Sequence, residues 1–289
     1  MDYLIPRMLC SFLSGMILSQ SGSFIQLGTQ NILASPSTLG MDGLAILWML
    51  IFHSLCLYFG VDTSTFMLLS LGITVSIFVG FYYSSHLRGA LKYERLILLG
   101  LTFNLLVGAI FSLWQFLFLA FNLPFPVELW FGHFRFADME ALSFLALTEV
   151  FIILGMIKFK KDILLYSLGP SVFSHFPFRQ RKLFQFLFIS VAIGTFVIVA
   201  EFGAFSFLAL LLPILARRLW FRRFDLSGEL IWGSILNGIL LMTTDFVCYN
   251  FPIYGAEIPV GLIVTAIGAM GLVVLLWSAN PSRNSWQKD

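Results

Sequence analysis

The residues that could carry out chemistry in this sequence are few and lie far apart. The four histidines and three cysteines fall in different segments and show no metal-binding or redox spacing. The patterns G-x-x-x-x-G-K-[ST] for phosphate and G-x-S-x-G for a nucleophilic serine are missing. The net charge of +2 gives no indication of nucleic-acid binding. We therefore expect a protein that is not an enzyme and that binds no metal or cofactor of its own.

The composition is that of a membrane protein. Hydrophobic residues make up 59% of the chain, charged residues only 11%, and the mean hydropathy is +0.92, whereas soluble domains carry roughly 25% charged residues. The apolar runs are long and do not alternate, which disfavours strands. The sequence therefore predicts an all-α, polytopic transmembrane bundle that forms a single domain over residues 1–289.

A membrane-spanning helix needs about 20 mostly apolar residues. The sequence contains nine such stretches, at about 5–27, 40–60, 64–84, 96–121, 139–157, 183–202, 204–220, 229–250 and 258–278. Fifteen of the 17 Lys and Arg residues then fall on one side, in the connections at 85–95, 158–182 and 217–223 and in the tail. The positive-inside rule makes this side cytoplasmic, with a cytoplasmic C-terminus and an external N-terminus.

The first span carries a stripe of small and polar residues at spacings that keep them on one helical face: Ser11, Gly15, Ser19, Gly22 and Gln26. In lipid, small residues let another helix approach closely, and polar residues form hydrogen bonds across the contact. The span ends at the segment 31–40, where Pro36 and Gly40 indicate a turn or a restarted helix. We expect the rest of the bundle to pack around this interrupted pair.

Two later spans also carry a narrow face of small and polar residues. These residues are Gly100, Asn104, Gly108, Ser112 and Gln115 in the fourth span, and Gly261, Thr265 and Gly268 in the last. Such a face is unfavourable toward lipid and must meet protein or water. Either it packs against neighbouring helices, or it lines a passage for a polar solute.

Four acids lie in or near the spans, and an ionisable residue in a span is a functional hypothesis by default. They are Asp42, Glu149, Glu201 and Asp245, of which Glu149 is the deepest. Glu257, before the last span, suits the positive end of a helix dipole. Proton coupling through Glu149 or Asp245 would make the chain a stand-alone secondary transporter.

The segment 158–182 is too polar to span a membrane and too apolar for a simple loop. Its apolar pieces contain Leu164, Leu165, Leu168, Val172 and Phe173 and are broken at Gly169. It is either an interfacial helix on lipid headgroups or a pair of short helices that dock a cytoplasmic partner.

Several motifs resemble a known family. The pattern G-x(6)-G-x(3)-Q-x(4)-N-x-L-A-x-P-x(2)-L-G runs from Gly15 to Gly40, and Glu257 begins the pattern E-I-P-V-G-x-x-V-T-A-x-G-A. Order and spacing are similar to permease subunits of FecCD/BtuC-like, or type II, ABC importers for iron-siderophore, haem or cobalamin. Two positions depart from the family pattern, with Ile32 in place of a proline and Ile214 in place of a histidine.

The resemblance implies ten spans, of which this chain lacks the first, and a place in the bacterial cytoplasmic membrane. It implies import of an iron chelate delivered by an extracytoplasmic substrate-binding protein and driven by two separate ATPase subunits that bind ATP and Mg. It also implies a second permease, which we expect to be a different chain.

The resemblance further implies roles for individual residues. Asn31 and Leu33, together with the loop residues Lys92, Tyr93 and Glu94, would form the cytoplasmic gate. The polar faces of the fourth and last spans would line the pathway. Arg7 would receive acidic residues of the binding protein, and the segment 162–178 would be the coupling segment that docks the ATPase.

Overall fold

The computed structural model describes residues 4–60, 72–77, 79–80, 90–123, 129–167, 177–205, 208–219, 229–252 and 257–278. Helices account for most of these residues, and the described part of the chain holds no strand. The α-helices are α1 (Leu4–Thr29), α2 (Met41–Phe59), α3 (Ala90–Ala120), α4 (Met139–Ser167), α5 (Pro177–Phe202), α6 (Leu208–Leu219), α7 (Ser234–Asn250) and α8 (Val260–Ser278). A π-helical turn, Glu229–Gly233, leads into α7. The all-α bundle that composition predicts is confirmed.

Six of the described helices are long and apolar enough to cross a membrane, and two shorter apolar stretches lie at Leu208–Arg217 and Val260–Gly271. Eight of the nine predicted spans therefore have a helix in the expected place. The remaining one, the third predicted span at 64–84, lies mostly outside the described residues. The described part of helix α6 has 12 residues.

Two predicted boundaries are wrong. Helix α4 runs ten residues past the predicted end at 157, because Lys and Asp do not terminate a helix and the run from Lys158 to Ser167 is rich in helix formers. Helix α3 begins at Ala90, so Lys92, Tyr93 and Glu94 lie in a helix and not in the loop that the sequence predicts. Both errors come from equating the end of an apolar run with the end of a helix.

Helices α1 and α5 form the centre of the bundle. The most apolar stretch of α1 is 72% buried and that of α5 is 78% buried, against 22% or less for α2, α3 and α4. Helix α1 packs against α7, α5, α6 and α4. The chain is therefore organised around its first described helix, as the small-residue stripe predicts.

Candidate functional site

The small-residue stripe of α1 forms close helix contacts. A Cβ atom at Gly15 would lie 2.7 Å from the backbone oxygen of Asn237 on α7. One turn later, the Asn237 side chain donates a hydrogen bond of 2.7 Å to Ser19 Oγ. Both bonding partners are buried. The prediction that this face brings helices together through small residues and hydrogen bonds is confirmed.

The second half of the stripe packs against α6. A Cβ atom at Gly22 would overlap the carbonyl oxygen of Ala209, so only glycine fits there. The Gln26 amide nitrogen donates to the carbonyl oxygen of Leu210 at 3.2 Å, and Arg217 donates to the Gln26 amide oxygen. The end of α1 is therefore fixed to α6 by backbone contact and by a side chain that is bound at both of its polar atoms.

The segment 30–40, which we call the gate segment, is a chain of tight turns. It begins at Gln30 with φ of +53° and ends at Gly40 with φ of +79°. The Asn31 side-chain oxygen accepts a hydrogen bond of 2.9 Å from the backbone amide of Leu33. The side chain of Thr38 accepts another of 2.8 Å from the amide of Ser35. These local bonds hold the segment in one shape, as Asx and Ser/Thr turns do.

Helix α3 supports the gate segment from the side. Gly100 packs so closely on the backbones of Thr38 and Leu39 that a Cβ atom would overlap them. The Asn104 amide donates to the backbone oxygen of Ser37. The gate segment thus covers the first half of the polar face of α3. For these residues, packing is the alternative that the structure supports, not the lining of a passage.

The second half of that face is more open. Among the described residues outside its own helix, the atom nearest to a Cβ at Gly108 would belong to the Trp130 ring, at 3.4 Å. Ser112 is exposed and donates to the Gly108 carbonyl oxygen, and Gln115 is half-buried. Lining of a pathway by Gly108, Ser112 and Gln115 stays a prediction.

The tip of the gate segment is apolar and exposed. Ile32 is 56% exposed and Leu33 is 40% exposed, whereas the following Ala34, Ser35 and Pro36 are buried. Two exposed apolar side chains on a rigid base can close against a matching surface. The gate role of Asn31 and Leu33 stays a prediction, as does that of the α3 residues Lys92, Tyr93 and Glu94.

The last helix meets the segment 129–138 at the opposite end of the bundle. The backbone amide of Gly261 donates to Gly132 at 2.7 Å, and a Cβ atom at Gly261 would lie 2.6 Å from the Gly132 nitrogen. A cavity of about 300 Å³ beside this contact is lined by Trp130, Phe131, Gly261, Leu262, Thr265 and Ala266. Gly268 is buried two turns further along. The cavity is apolar and open, and the pathway role of this face remains untested.

Arg7 lies inside the bundle at this same end. Its Nε and Nη2 atoms donate to the two carboxylate oxygens of Asp245, each at 2.9 Å, and Nη1 donates to Glu257 at 2.9 Å. The guanidinium also lies over the Tyr249 ring, 4.7 Å from its centroid. Arg7 is 3% exposed and Asp245 is 2% exposed, whereas Glu257 is 33% exposed. We call this group the arginine triad.

The arginine triad bears on two sequence interpretations. The Arg7 guanidinium is buried and bound to two carboxylates, and its role in docking a binding protein stays a prediction. Glu257 forms an ion pair with Arg7, so its role is not limited to an interaction with the dipole of α8. The sequence signal was available, because Arg7 and Asp245 are isolated charges in two otherwise apolar runs, and such charges pair.

A second buried polar pair lies between α1 and α4. Gln20 donates to Glu149 Oε1 at 2.7 Å, and both side chains are almost completely buried. The other carboxylate oxygen, Glu149 Oε2, has no hydrogen-bond partner among the residues that the structure describes. The pair joins two helices in the interior, and it was not predicted because no pattern connects positions 20 and 149.

The predicted coupling segment is described only in part. Its first residues continue α4, with Leu164 exposed, Leu165 half-buried, and Tyr166 buried against Phe184 of α5. Asp162 forms an ion pair of 3.3 Å with Arg179 at the start of α5. Leu168, Gly169, Val172 and Phe173 lie outside the described residues. Docking of an ATPase by this segment stays a prediction.

The fold and these helix junctions define a multi-pass, all-helical membrane protein whose centre is a small-residue helix. The FecCD transport family model matches residues 1–278, and the chain belongs to that family. Family membership makes it a permease subunit of the ABC transporter class, and such subunits are not catalytic.

Curated relatives cover nearly the whole chain. A petrobactin import system permease, FatD of Bacillus anthracis, is 27% identical over 94% of this chain and 79% of its own length. The ferric enterobactin transport permease FepG of Escherichia coli is 25% identical over 95% of this chain and 81% of its own. The similarity therefore extends from α1 to α8 and is not limited to the gate segment.

Solved structures agree with this fold. A putative metal-chelate type ABC transporter in an inward-facing conformation superposes with a TM-score of 0.74, at 22% identity, over 94% of this chain and 85% of its own. A PsaBC complex of Streptococcus pneumoniae with a Fab superposes with a TM-score of 0.61 at 14% identity, over 100% of this chain and 96% of that chain. At these identities the likeness establishes the fold alone.

Proposed function

We propose that this chain is the membrane-spanning subunit of an importer for an iron chelate such as a siderophore or haem. A substrate-binding protein delivers the chelate from outside, and a separate ATPase supplies the energy. The proposal is supported by the whole-chain family match and by relatives whose names describe petrobactin, enterobactin and hydroxamate transport.

The observation that carries the proposal is the gate segment. Its backbone is fixed by internal hydrogen bonds and by α3, and it presents the apolar side chains of Ile32 and Leu33 to the exterior of this chain. In a complex of two permeases, two such tips that face each other would close a passage and part when the bundles rotate. This chain would then open and close a path without any covalent chemistry.

The proposed partners follow from the same scheme. ATP and Mg bind to the ATPases, which push on the connection between α4 and α5 from the cytoplasmic side. The C-terminus is cytoplasmic, and the second permease is a different chain. The membrane is the bacterial cytoplasmic membrane.

The test is reconstitution of the chain in liposomes with its ATPase, second permease and binding protein. We expect uptake of a radiolabelled ferric siderophore that requires ATP and stops when the ATPase lacks its catalytic carboxylate. Leu33→Ala should raise leakage of the chelate without ATP. The matched control is Leu154→Ala, because Leu154 is also an exposed leucine but lies on α4.

Two results would contradict the proposal. One is a purified chain that never associates with an ATPase subunit. The other is solute uptake by the chain alone, in liposomes without ATP, which would support the stand-alone proton-coupled transporter. Of the two carboxylates that this alternative could use, that of Asp245 is bound by Arg7, which leaves Glu149.

A further inference from the structure

The contact between α1 and α6 lies where one backbone hydrogen bond of α6 is missing. Pro213 lies inside this helix, and proline has no amide hydrogen, so it cannot donate to the carbonyl oxygen of Ala209 one turn earlier. Gly22 of α1 packs directly on that carbonyl group. A side chain at position 22 would push the two helices apart, so the close approach depends on a glycine facing a proline-opened turn.

Gln26 extends the same contact by one turn of α1. Its amide nitrogen donates to the carbonyl oxygen of Leu210, next to the one freed by Pro213. Its amide oxygen accepts from Arg217, near the end of α6. Gln26 is 4% exposed; its bond to Leu210 is buried, and its bond to Arg217 is partly buried. A buried amide with both ends bound is a rigid connection, because losing either bond leaves a polar atom unsatisfied.

The connection lies directly before the gate segment. Helix α1 ends at Thr29, three residues after Gln26, and the first turn of the gate segment follows at Gln30. A shift of α6 along its axis would therefore pull on the base of the gate segment through Gln26. A change that frees Gln26 would remove this polar connection but leave the packing of Gly22 on Ala209 in place.

We propose that Gln26 and Arg217 are positioning residues of the gate: they fix the start of the gate segment to α6, so that the gate moves only when α6 moves. This inference rests on the proposed function. Neither residue contacts the solute; each acts through the orientation of Asn31 and Leu33.

The experiment measures the gate and the solute separately in the reconstituted complex. A single reporter cysteine is introduced by Leu33→Cys with Cys56→Ser, and its reaction with a maleimide is timed with and without ATP. Cys10 and Cys248 are buried and serve as the internal background. We expect the reaction rate to depend on ATP in the parent chain.

In Arg217→Ala we expect this ATP dependence to disappear and solute uptake to fall about tenfold, the effect of losing one charge-assisted hydrogen bond. ATP hydrolysis should continue. Arg217→Lys keeps a donor and should retain part of the uptake. Gln26→Ala also removes the bond to Leu210, so it should lose at least as much as Arg217→Ala. The double variant should be no worse than Gln26→Ala, because the bond to Arg217 is already broken in that single variant.

Additive effects of the two single variants would overturn the inference. It would also be overturned if labelling in Arg217→Ala depended on ATP as strongly as in the parent. If the Arg217→Ala chain fails to assemble into the complex, the same comparison is made with Arg217→Lys and Gln26→Ala. Failure of the proposed function is distinct, because the parent chain would then show no ATP-dependent uptake. The non-additivity of Gln26→Ala and Arg217→Ala in the labelling rate would still test the connection.

Discussion

Removal of the Asp245 carboxylate tests whether the arginine triad is an internal ion pair. Asp245 accepts two of the three hydrogen bonds that Arg7 donates to carboxylates, and the two side chains are 2% and 3% exposed. In Asp245→Ala, Arg7 stays buried with Glu257 as its remaining carboxylate partner. Breaking one side of a buried pair costs about 3–5 kcal/mol, and we expect a loss of stability in this range.

Two comparison variants make the magnitude interpretable. Glu257→Ala removes one bond to a carboxylate that is 33% exposed, and we expect it to cost about 1 kcal/mol. The double variant Arg7→Met with Asp245→Leu replaces the pair by apolar side chains, and its stability should return to within about 1 kcal/mol of the parent.

The assay is reversible unfolding of the purified chain by sodium dodecyl sulfate in mixed micelles, followed by circular dichroism. An Asp245→Ala loss no larger than that of Glu257→Ala would refute the argument from burial. The double variant also tests docking of the binding protein, since it lacks the guanidinium of Arg7. Unchanged affinity for the binding protein at low salt would confirm an internal role for Arg7, and a clear loss of affinity would support the docking role.

Three further predictions concern the helix contacts, the buried Glu149 and the gate segment. Gly22→Ala should destabilise the chain by about 2 kcal/mol in the same unfolding assay, because a Cβ atom there overlaps the backbone of α6, whereas Gly108→Ala should be neutral or stabilising. Glu149→Gln should keep the bond to Gln20 and leave solute uptake unchanged; loss of uptake would instead support proton coupling. Asn31→Ala removes the acceptor for a loop amide and should cost about 1 kcal/mol, seen as faster chelate efflux from liposomes without ATP; unchanged efflux would contradict a gate role.

Local spacing was sufficient to predict the central helix. The positions of Gly15, Ser19, Gly22 and Gln26 place them on one face of any helix, and lipid cannot satisfy a polar face. The sequence therefore predicted that this face meets other helices. It could not predict which helices, because the partners Asn237, Ala209 and Leu210 are far away in the chain.

The polar face of α3 shows the limit of such reasoning. Spacing alone could not separate packing from passage for Gly100, Asn104, Gly108, Ser112 and Gln115. The structure divides the face, because the gate segment covers Gly100 and Asn104 but not the remainder. The division depends on the path that the chain takes after α1, and helical periodicity cannot predict that path.

The amino-acid sequence by itself determined that this protein is an all-helical membrane bundle, since 59% hydrophobic residues in long runs can be satisfied only inside lipid. Its motifs also indicated the family. Only the tertiary structure decided the partners of the buried charges, among them the burial of Arg7 against Asp245 and Glu257. An isolated charge in an apolar run must find a counter-charge, and which one it finds depends on how helices distant in the chain pack together.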